Sequence, residues 1–219
     1  MMNIAIDGPS AAGKSTIAKA LAKQLAYIHL DTGAMYRCCA YASLINEIDI
    51  NDTLALEEMM NTIQISFDEQ GNVELNGEKV ANKIRTNDIS MRTSSISQYP
   101  FVREKLVKIQ QNLAKTKGYI LDGRDIGTVV LVDAEVKIYL VASVEARAKR
   151  RYDEYVKQGI EVEYTMIYKD IEQRDYQDMN RKVSPLKKAE DAIEIDTSQL
   201  TIQQVIDKVS NIITKKMKK

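Results

Sequence analysis

The eight residues Gly8-Pro-Ser-Ala-Ala-Gly13-Lys14-Ser15 constrain this chain more than any other stretch. They fit the pattern G-x-x-x-x-G-K-[S/T] without departure. Such a loop wraps its backbone N–H groups around a phosphate, so it must stay free of bulky side chains. Only four positions are fixed, and the pattern also occurs by chance, so its context decides. Before it stands the apolar run Met2-Asn-Ile-Ala-Ile-Asp7; after it Ile17, Ala18, Leu21, Ala22 and Leu25 recur at helical spacing. Strand, glycine loop and helix open an α/β unit. A helix beginning near Lys14 offers unsatisfied N–H groups and a positive dipole end. Lys14 adds a charge in reach of the β- and γ-phosphates, and the Ser15 hydroxyl can ligate Mg²⁺. Gly8, Pro9, Ser10, Ala11, Ala12, Gly13, Lys14, Ser15 and Thr16 are thus the expected contacts of a nucleoside triphosphate.

The rest of the chain repeats the α/β rhythm with one interruption. Tyr27–Leu30 reads as a strand that ends at Asp31-Thr32-Gly33, followed by a helix through Tyr36, Ala40 and Leu44. Ile63–Phe67 and Val73–Leu75 alternate with period two, joined by a turn at Glu69–Asn72 and followed by a tight Asn76-Gly77 turn. This antiparallel patch, about 62–85, reads as an insertion. Pro100 opens a helix with Phe101, Leu106, Ile109 and Leu113 that stops at Gly118. Tyr119–Asp122, Val136–Ala142 and Ala192–Asp196 are strands; 144–158 and 165–180 are helices around a loop at Gly159–Tyr164. Thr201 and Gln204 form a capping box for a helix to about 213, with Thr214–Lys219 as a solvated, frayed end. Five buried strands separated by helices predict a parallel sheet with helices on both faces and ligands beyond the strands' carboxyl ends.

Composition removes other classes. The 219 residues carry 44% apolar and 28% charged side chains, enough for a core that needs no disulfide or metal. No window approaches 18 consecutive apolar residues, so no membrane span is expected. The first residues lack a basic region and a long apolar run, so no signal peptide is read there and a cytosolic location is expected. Thirty-one basic against 31 acidic residues give no net charge, which argues against a nucleic-acid polymer as partner. The adjacent Cys38 and Cys39 are poorly placed to bridge each other, and with the single His29 they cannot complete a four-ligand zinc site. Both read as inert thiols. No unexplained apolar stripe remains, so a monomer is expected.

A phosphate loop fits two classes, a guanine-nucleotide switch and a transferase that passes the γ-phosphoryl to a small acceptor. The switch needs Asn-Lys-x-Asp, and the near match Asn82-Lys83-Ile84-Arg85 has arginine in place of the carboxylate. Asp68-Glu-Gln-Gly71 mimics a second switch element, but in a hairpin turn. A kinase must neutralise a second anionic phosphate and shield the transfer from water. Arginines stand where that requires them: Arg37 after the second strand, Arg124 after the third, Arg147, Arg150 and Arg151 after the fourth, and Arg174 and Arg181 on the next helix. Arg174, Asp178 and Arg181 share a helical face, either as an exposed salt-bridge ladder or as a ligand-facing set.

Asp7–Ser15, Leu30-Asp-Thr-Gly-Ala-Met-Tyr-Arg37, Asp122-Gly-Arg-Asp-Ile-Gly-Thr128 and Arg174-Asp175…Asp178…Arg181 together resemble the bacterial cytidylate kinases, over Ile4 to about Ile213. The resemblance implies transfer of the γ-phosphoryl of ATP to CMP or dCMP with Mg²⁺, in pyrimidine nucleotide metabolism. It implies the nucleoside-monophosphate kinase fold: a P-loop core at 1–36 and 91–219 with a lid at about 152–165, and an acceptor-binding insertion at 37–90 carrying the extra sheet. By the same resemblance Thr32 and Arg37 are CMP contacts, and Ser94, Arg103 and Asp125 read cytosine. Arg124 and Arg181 hold phosphate, Arg174 and Asp178 the sugar, and Arg147 lies over adenine. Lys14, Arg124, Arg150 and Arg151 serve the transferring phosphoryl, with Ser15 on the metal. Met179 stands where family members often have serine, which bears on the ribose/deoxyribose preference; Ala11 stands where many have glycine. The alternatives are a kinase of another small acceptor, such as UMP or shikimate, and a non-catalytic nucleotide switch.

Overall fold

The structure is a computed structural model and describes residues 1–68 and 71–218. In chain order its elements are β1 (Ile4–Asp7), α1 (Lys14–Leu25), β2 (Ile28–Asp31), α2 (Thr32–Ile45), α3 (Thr53–Thr62), β3 (Ile65–Phe67), β4 (Val73–Leu75) and β5 (Glu78–Lys79). There follow α4 (Asn87–Ile96), α5 (Pro100–Ala114), β6 (Tyr119–Gly123), a π-helical turn (Ile126–Val130), β7 (Val136–Val141), α6 (Val144–Lys157), α7 (Tyr164–Asn180), β8 (Ile193–Asp196) and α8 (Ile202–Met217). The chain divides into two compact units, Met1–His29 with Lys117–Lys219, and Leu30–Thr116. In the second unit α2 packs against α4 and α5.

The parallel sheet has the order β2-β6-β1-β7-β8. β1 pairs with β6 on one side and β7 on the other, both parallel, so the order reverses at β1. Ligands bind outside the carboxyl ends of strands at such a switch point, and the phosphate loop leaves β1 there. All four residues of β1 are buried, as a strand covered on both faces requires. Its core joins Ile4, Ile6 and Ile138 to Ile17, Leu21, Val205 and Val209 of α1 and α8. The Thr201–Gln204 capping box forms as expected. α8 then runs to Met217, beyond the predicted end near 213, since Lys215 and Lys216 favour the negative end of its dipole.

The second unit packs Met35, Cys38, Leu56, Met60, Ile84, Ile96 and Leu106 around α2. Its small sheet has the order β3-β4-β5 and is antiparallel throughout. Asn76 and Gly77 turn between β4 and β5 with φ of 52° and 81°, the paired left-handed residues that a tight hairpin needs. Glu69 and Gln70, the tip of the other expected turn, lie outside the described residues; at its base Asp68 N–H donates to Asn72 O at 2.9 Å. Two helices, α3 and α4, were not legible as such in the sequence. Both start at side-chain caps, Asp52 and Thr86, that accept from the N–H three residues on.

Candidate active site

The phosphate loop is shaped by close backbone contact. Gly8 has φ of 148°, and a Cβ there would lie 2.1 Å from the Leu140 carbonyl oxygen of the neighbouring strand, so only glycine fits. Gly13, with φ of 91°, forms the N-cap of α1, whose first N–H groups face the loop without a side-chain cap. Ala11 adopts φ of 58°. Thr16 is exposed. Arg147 braces the loop from behind. Its Nη1 donates to Ser10 O at 3.2 Å, its Nε to Ala142 O at 2.9 Å, and its Nη2 lies 2.5 Å from Asp175 Oδ2.

Lys14 is buried and donates from Nζ to Pro9 O at 2.7 Å. Burial, reinforced by the Arg124 charge, pulls its ammonium down to about 7, against the pull of Asp122, Asp178 and Asp7. Ser15 Oγ donates to Asp122 Oδ2 at 2.7 Å, and His29 Nε2 lies 2.5 Å from Asp122 Oδ1. Burial alone would raise the Asp122 carboxyl, but the His29 and Ser15 contacts and the Lys14 charge outweigh it and hold it below the usual range. A hydroxyl beside an ionised carboxylate at the end of a core strand is the hard oxygen pair that suits Mg²⁺ bound to phosphates. Sequence reasoning chose Ser15 and missed Asp122, although a carboxylate closing the apolar run Tyr119-Ile-Leu was a usable signal.

Beyond β6 the first unit gathers cations. Arg124 Nε donates to Asp178 Oδ2 at 2.7 Å. Arg181 lies 3.6 Å from Asp178 Oδ1 and 3.8 Å from Asp125 Oδ1, and donates to Ser184 O at 2.6 Å. The Arg174 Nε is buried without a hydrogen-bond partner. Burial and the Arg124 charge lower its guanidinium to about 10, so it remains charged at neutral pH. Burial opposes ionisation of Asp178, yet Arg124, Arg181 and Arg174 hold its carboxyl below the usual range. Asp178 and Arg181 are buried and Arg174 is half-buried, so the three form a charged cluster rather than an exposed ladder. Asp125 is 4% exposed and opens the π-helical turn. That turn is tied to β1 by Asp7, whose two carboxylate oxygens accept from Ile126 N and Gly127 N at 2.8 Å each. Burial raises the Asp7 carboxyl to about 6 despite those two bonds. Arg150 is spent on Thr197, donating to its hydroxyl at 3.1 Å and to its carbonyl. Arg151 donates to Tyr155 OH of its own helix at 2.9 Å and lies 3.6 Å from Glu154.

The second unit holds its own set. Thr32 is buried at the first turn of α2, which Asp31 caps by accepting from Ala34 N at 3.0 Å. Arg37 donates from Nη1 to Ile84 O at 2.9 Å and Ser90 Oγ at 2.8 Å. Ser94 lies one turn further along α4 and donates to Ser90 O at 3.4 Å. Arg103 is 3% exposed, stands 5.2 Å over the Tyr36 ring and donates to Ser97 O at 3.2 Å. Tyr36 and Ser90 are partners that sequence reasoning missed. Cys38 and Cys39 are buried, and burial pushes the Cys38 thiol up to about 12, so neither is a nucleophile.

A phosphate loop at the switch point of a five-stranded parallel sheet, with buried arginines at the same edge, defines a P-loop kinase. The model of the cytidylate kinase family matches residues 4–215. The cytidylate kinase of Bacillus cereus (strain G9842) is 48% identical over 216 residues, 97% of this chain and 96% of that one. That of Bacillus subtilis (strain 168) is 49% identical over 218 residues, 98% and 97% of the two chains. Among solved structures, an uncharacterized protein from Eubacterium ventriosum ATCC 27560 shares the fold with a TM-score of 0.51 at 14% identity, over 98% of each chain. The chain belongs to the cytidylate kinase family.

The lowered Lys14 value has a consequence for pH. Its ammonium sits at about 7 in the folded chain against 10.5 ordinarily, so between those values the unfolded chain holds more protons and folding stability rises with pH. Below about 7 both states are protonated and the slope vanishes. Bound phosphates restore the charge, so Mg·ADP binding at pH 8.5 takes up close to one proton at Lys14. Calorimetry in buffers of different ionisation enthalpy, free of phosphate and sulfate, measures this. Lys14→Ala should take up roughly one proton fewer; equal uptake would mean Lys14 is already charged in the free protein.

Proposed function

We propose that this protein transfers the γ-phosphoryl of ATP to CMP or dCMP, giving ADP and CDP or dCDP. The observation that carries this reading is the cluster of cations at the carboxyl edge of the parallel sheet, Lys14 and Arg181 buried and Arg124 and Arg174 half-buried. Such a cluster suits a second anionic phosphate beside the one in the loop. Gly8 to Thr16 bind the ATP phosphates. Thr32 and Arg37 bind CMP, with Arg37 on its phosphate; Ser94, Arg103 and Asp125 read cytosine, whose amino group donates to a carboxylate. Arg174 and Asp178 hold the sugar, and Arg124 and Arg181 the acceptor phosphate.

The CMP phosphate is already an anionic nucleophile, so no side chain acts as a strong base. In-line transfer then depends on positioning and charge neutralisation. Lys14 and Arg124 neutralise charge from positions fixed by Pro9 O and Asp178. Of the two lid-base arginines, Arg151 is the one free to help, because its partners are a neighbouring tyrosine and a 3.6 Å surface pair with Glu154, whereas Thr197 holds Arg150. Ser15 and Asp122 would hold Mg²⁺, which would supply charge neutralisation to the transferring phosphoryl. The 158–163 loop between α6 and α7 is the mobile part of the lid that excludes water. The enzyme acts as a cytosolic monomer, where Cys38 and Cys39 stay reduced.

ADP formation from Mg·ATP is measured against CMP, dCMP, UMP, AMP, GMP, shikimate and no acceptor. Turnover confined to CMP, or to CMP and dCMP, is the expected result; ADP without acceptor would reveal an ATPase. Asp125→Ala should cut the preference for CMP over UMP in kcat/KM at least about tenfold, the scale of one lost base contact. Unchanged discrimination would remove Asp125 from base reading.

A further inference from the structure

His29 is the only histidine of the chain and has no part in the reaction as described above. It lies on β2, with its side chain 9% exposed, and its Nε2 is 2.5 Å from Oδ1 of Asp122, itself 4% exposed. The other oxygen of that carboxylate accepts from Ser15 Oγ at 2.7 Å. The three side chains form one chain, from imidazole to carboxylate to hydroxyl, running from β2 through β6 to the first turn of α1.

The order of these contacts has chemical meaning. A carboxylate with one oxygen held by an imidazole can no longer turn about its Cβ–Cγ bond. Its second oxygen then fixes the direction of the Ser15 O–H. With that proton directed at Asp122, the lone pairs of the Ser15 oxygen point away from Asp122, towards the loop where the phosphates bind. Groups behind metal ligands act in this way, fixing ligand orientation and basicity. An imidazole that only faced solvent would not sit 2.5 Å from a buried carboxylate whose other oxygen accepts from a phosphate-loop hydroxyl.

We propose that His29 is a positioning residue for the metal: it clamps Asp122, and through Asp122 it orients Ser15 for the Mg²⁺ that accompanies the nucleotide. The proposal rests on the reading of Ser15 and Asp122 as the protein side of the metal site. It predicts an effect on metal affinity that is separate from nucleotide affinity and from CMP.

Mn²⁺ is the probe, with ADP, and free Mn²⁺ is followed by electron paramagnetic resonance. His29→Leu should weaken Mn²⁺ binding to the ADP complex about tenfold, the lower range for groups behind a metal ligand. Its affinity for ADP in EDTA and its KM for CMP should stay as in the parent. His29→Gln, whose amide nitrogen can reach the Nε2 position, should recover most of the loss. Asp122→Asn is the reference for the underlying reading. If Asp122→Asn weakens Mn²⁺ binding and His29→Leu does not, the His29 proposal is overturned and the metal site stands. If neither weakens it, the metal site as drawn is wrong, and the proposal falls with it. Equal weakening of ADP with and without metal in His29→Leu would mean a distorted loop, and would also overturn the proposal. A second readout needs no variant. Because the protein has one imidazole, its ring-proton resonances belong to His29, and Mn·ADP should broaden them beyond detection while Mg·ADP leaves them sharp. Ring signals that stay sharp with saturating Mn·ADP would place the metal elsewhere.

Discussion

Lys14→Ala lowers kcat by at least ~10²-fold, the scale of removing one preorganised charge from a transition state, while the fold survives. The asymmetry follows from where Lys14 sits. Its Nζ donates to Pro9 O at 2.7 Å within the loop, so the ammonium is held on its own backbone before any nucleotide arrives. The position costs the free protein stability, because burial and Arg124 disfavour the charged form and draw it down to about 7. Truncation therefore removes an unfavourable buried charge, and thermal unfolding of the variant should occur at or above the parent temperature. In the reaction the balance is reversed. Charge moves from the γ-phosphoryl onto the β–γ bridging oxygen, and a positioned cation gains most at the point where that charge is largest. The effect should fall on kcat more than on KM for ATP, because the N–H groups of α1 still hold the phosphates. Steady-state kinetics and a melting curve on one preparation test both halves. Near-parent turnover would remove Lys14 from phosphoryl stabilisation, and a collapsed melt would mean that it shapes the loop.

The legibility of this chain followed the physical scale of each feature. The phosphate loop could be read because strand, turn, cap and charge are consecutive in Asp7 to Ser15, and each needs its own residue type. β1, β6 and β7 could be read because a strand buried on both faces is a short apolar run. β2 and β8, expected to be buried as well, are the edge strands, each with one buried residue. α4 could not, for a reason tied to function. Its inward face carries Ser90 and Ser94, which meet the Arg37 guanidinium and the α4 backbone, so polar residues break the apolar period. α3 buries only Leu56, Met59 and Met60, too few for a firm helical signal. Asp7, Asp122 and His29 were passed over because their partners are distant in sequence. Asp7 reaches Ile126 and Gly127, more than a hundred residues away, only because β1 lies beside β6. The separate duties of the arginines came from the resemblance; what the sequence could not show is which protein groups each one meets.

Arg147 shows this most clearly and carries the second large effect. Arg147→Ala should destabilise the nucleotide-free protein by about 3–5 kcal/mol, the usual result of removing one member of a buried ion pair. The guanidinium is 3% exposed and meets three different parts of the first unit. It donates to Ser10 O in the phosphate loop at 3.2 Å and to Ala142 O after β7 at 2.9 Å, and it pairs with Asp175 on α7. Its loss takes the 2.5 Å guanidinium contact from Asp175, which is 8% exposed and whose Oδ1 already has no hydrogen-bond partner, and leaves the Arg124 and Arg174 charges as partial compensation. Two backbone carbonyls lose their donors as well. A residue whose chief duty was to stack on adenine would behave otherwise: truncation would raise KM for ATP and leave the empty protein as stable as before. Urea unfolding without nucleotide separates the two. An unchanged midpoint would return Arg147 to a purely ligand-facing role. The double variant Arg147→Met with Asp175→Leu removes both charges, and it should recover much of the loss. Recovery with ATP affinity still impaired would show that the same pair also sets the shape of the phosphate loop through Ser10.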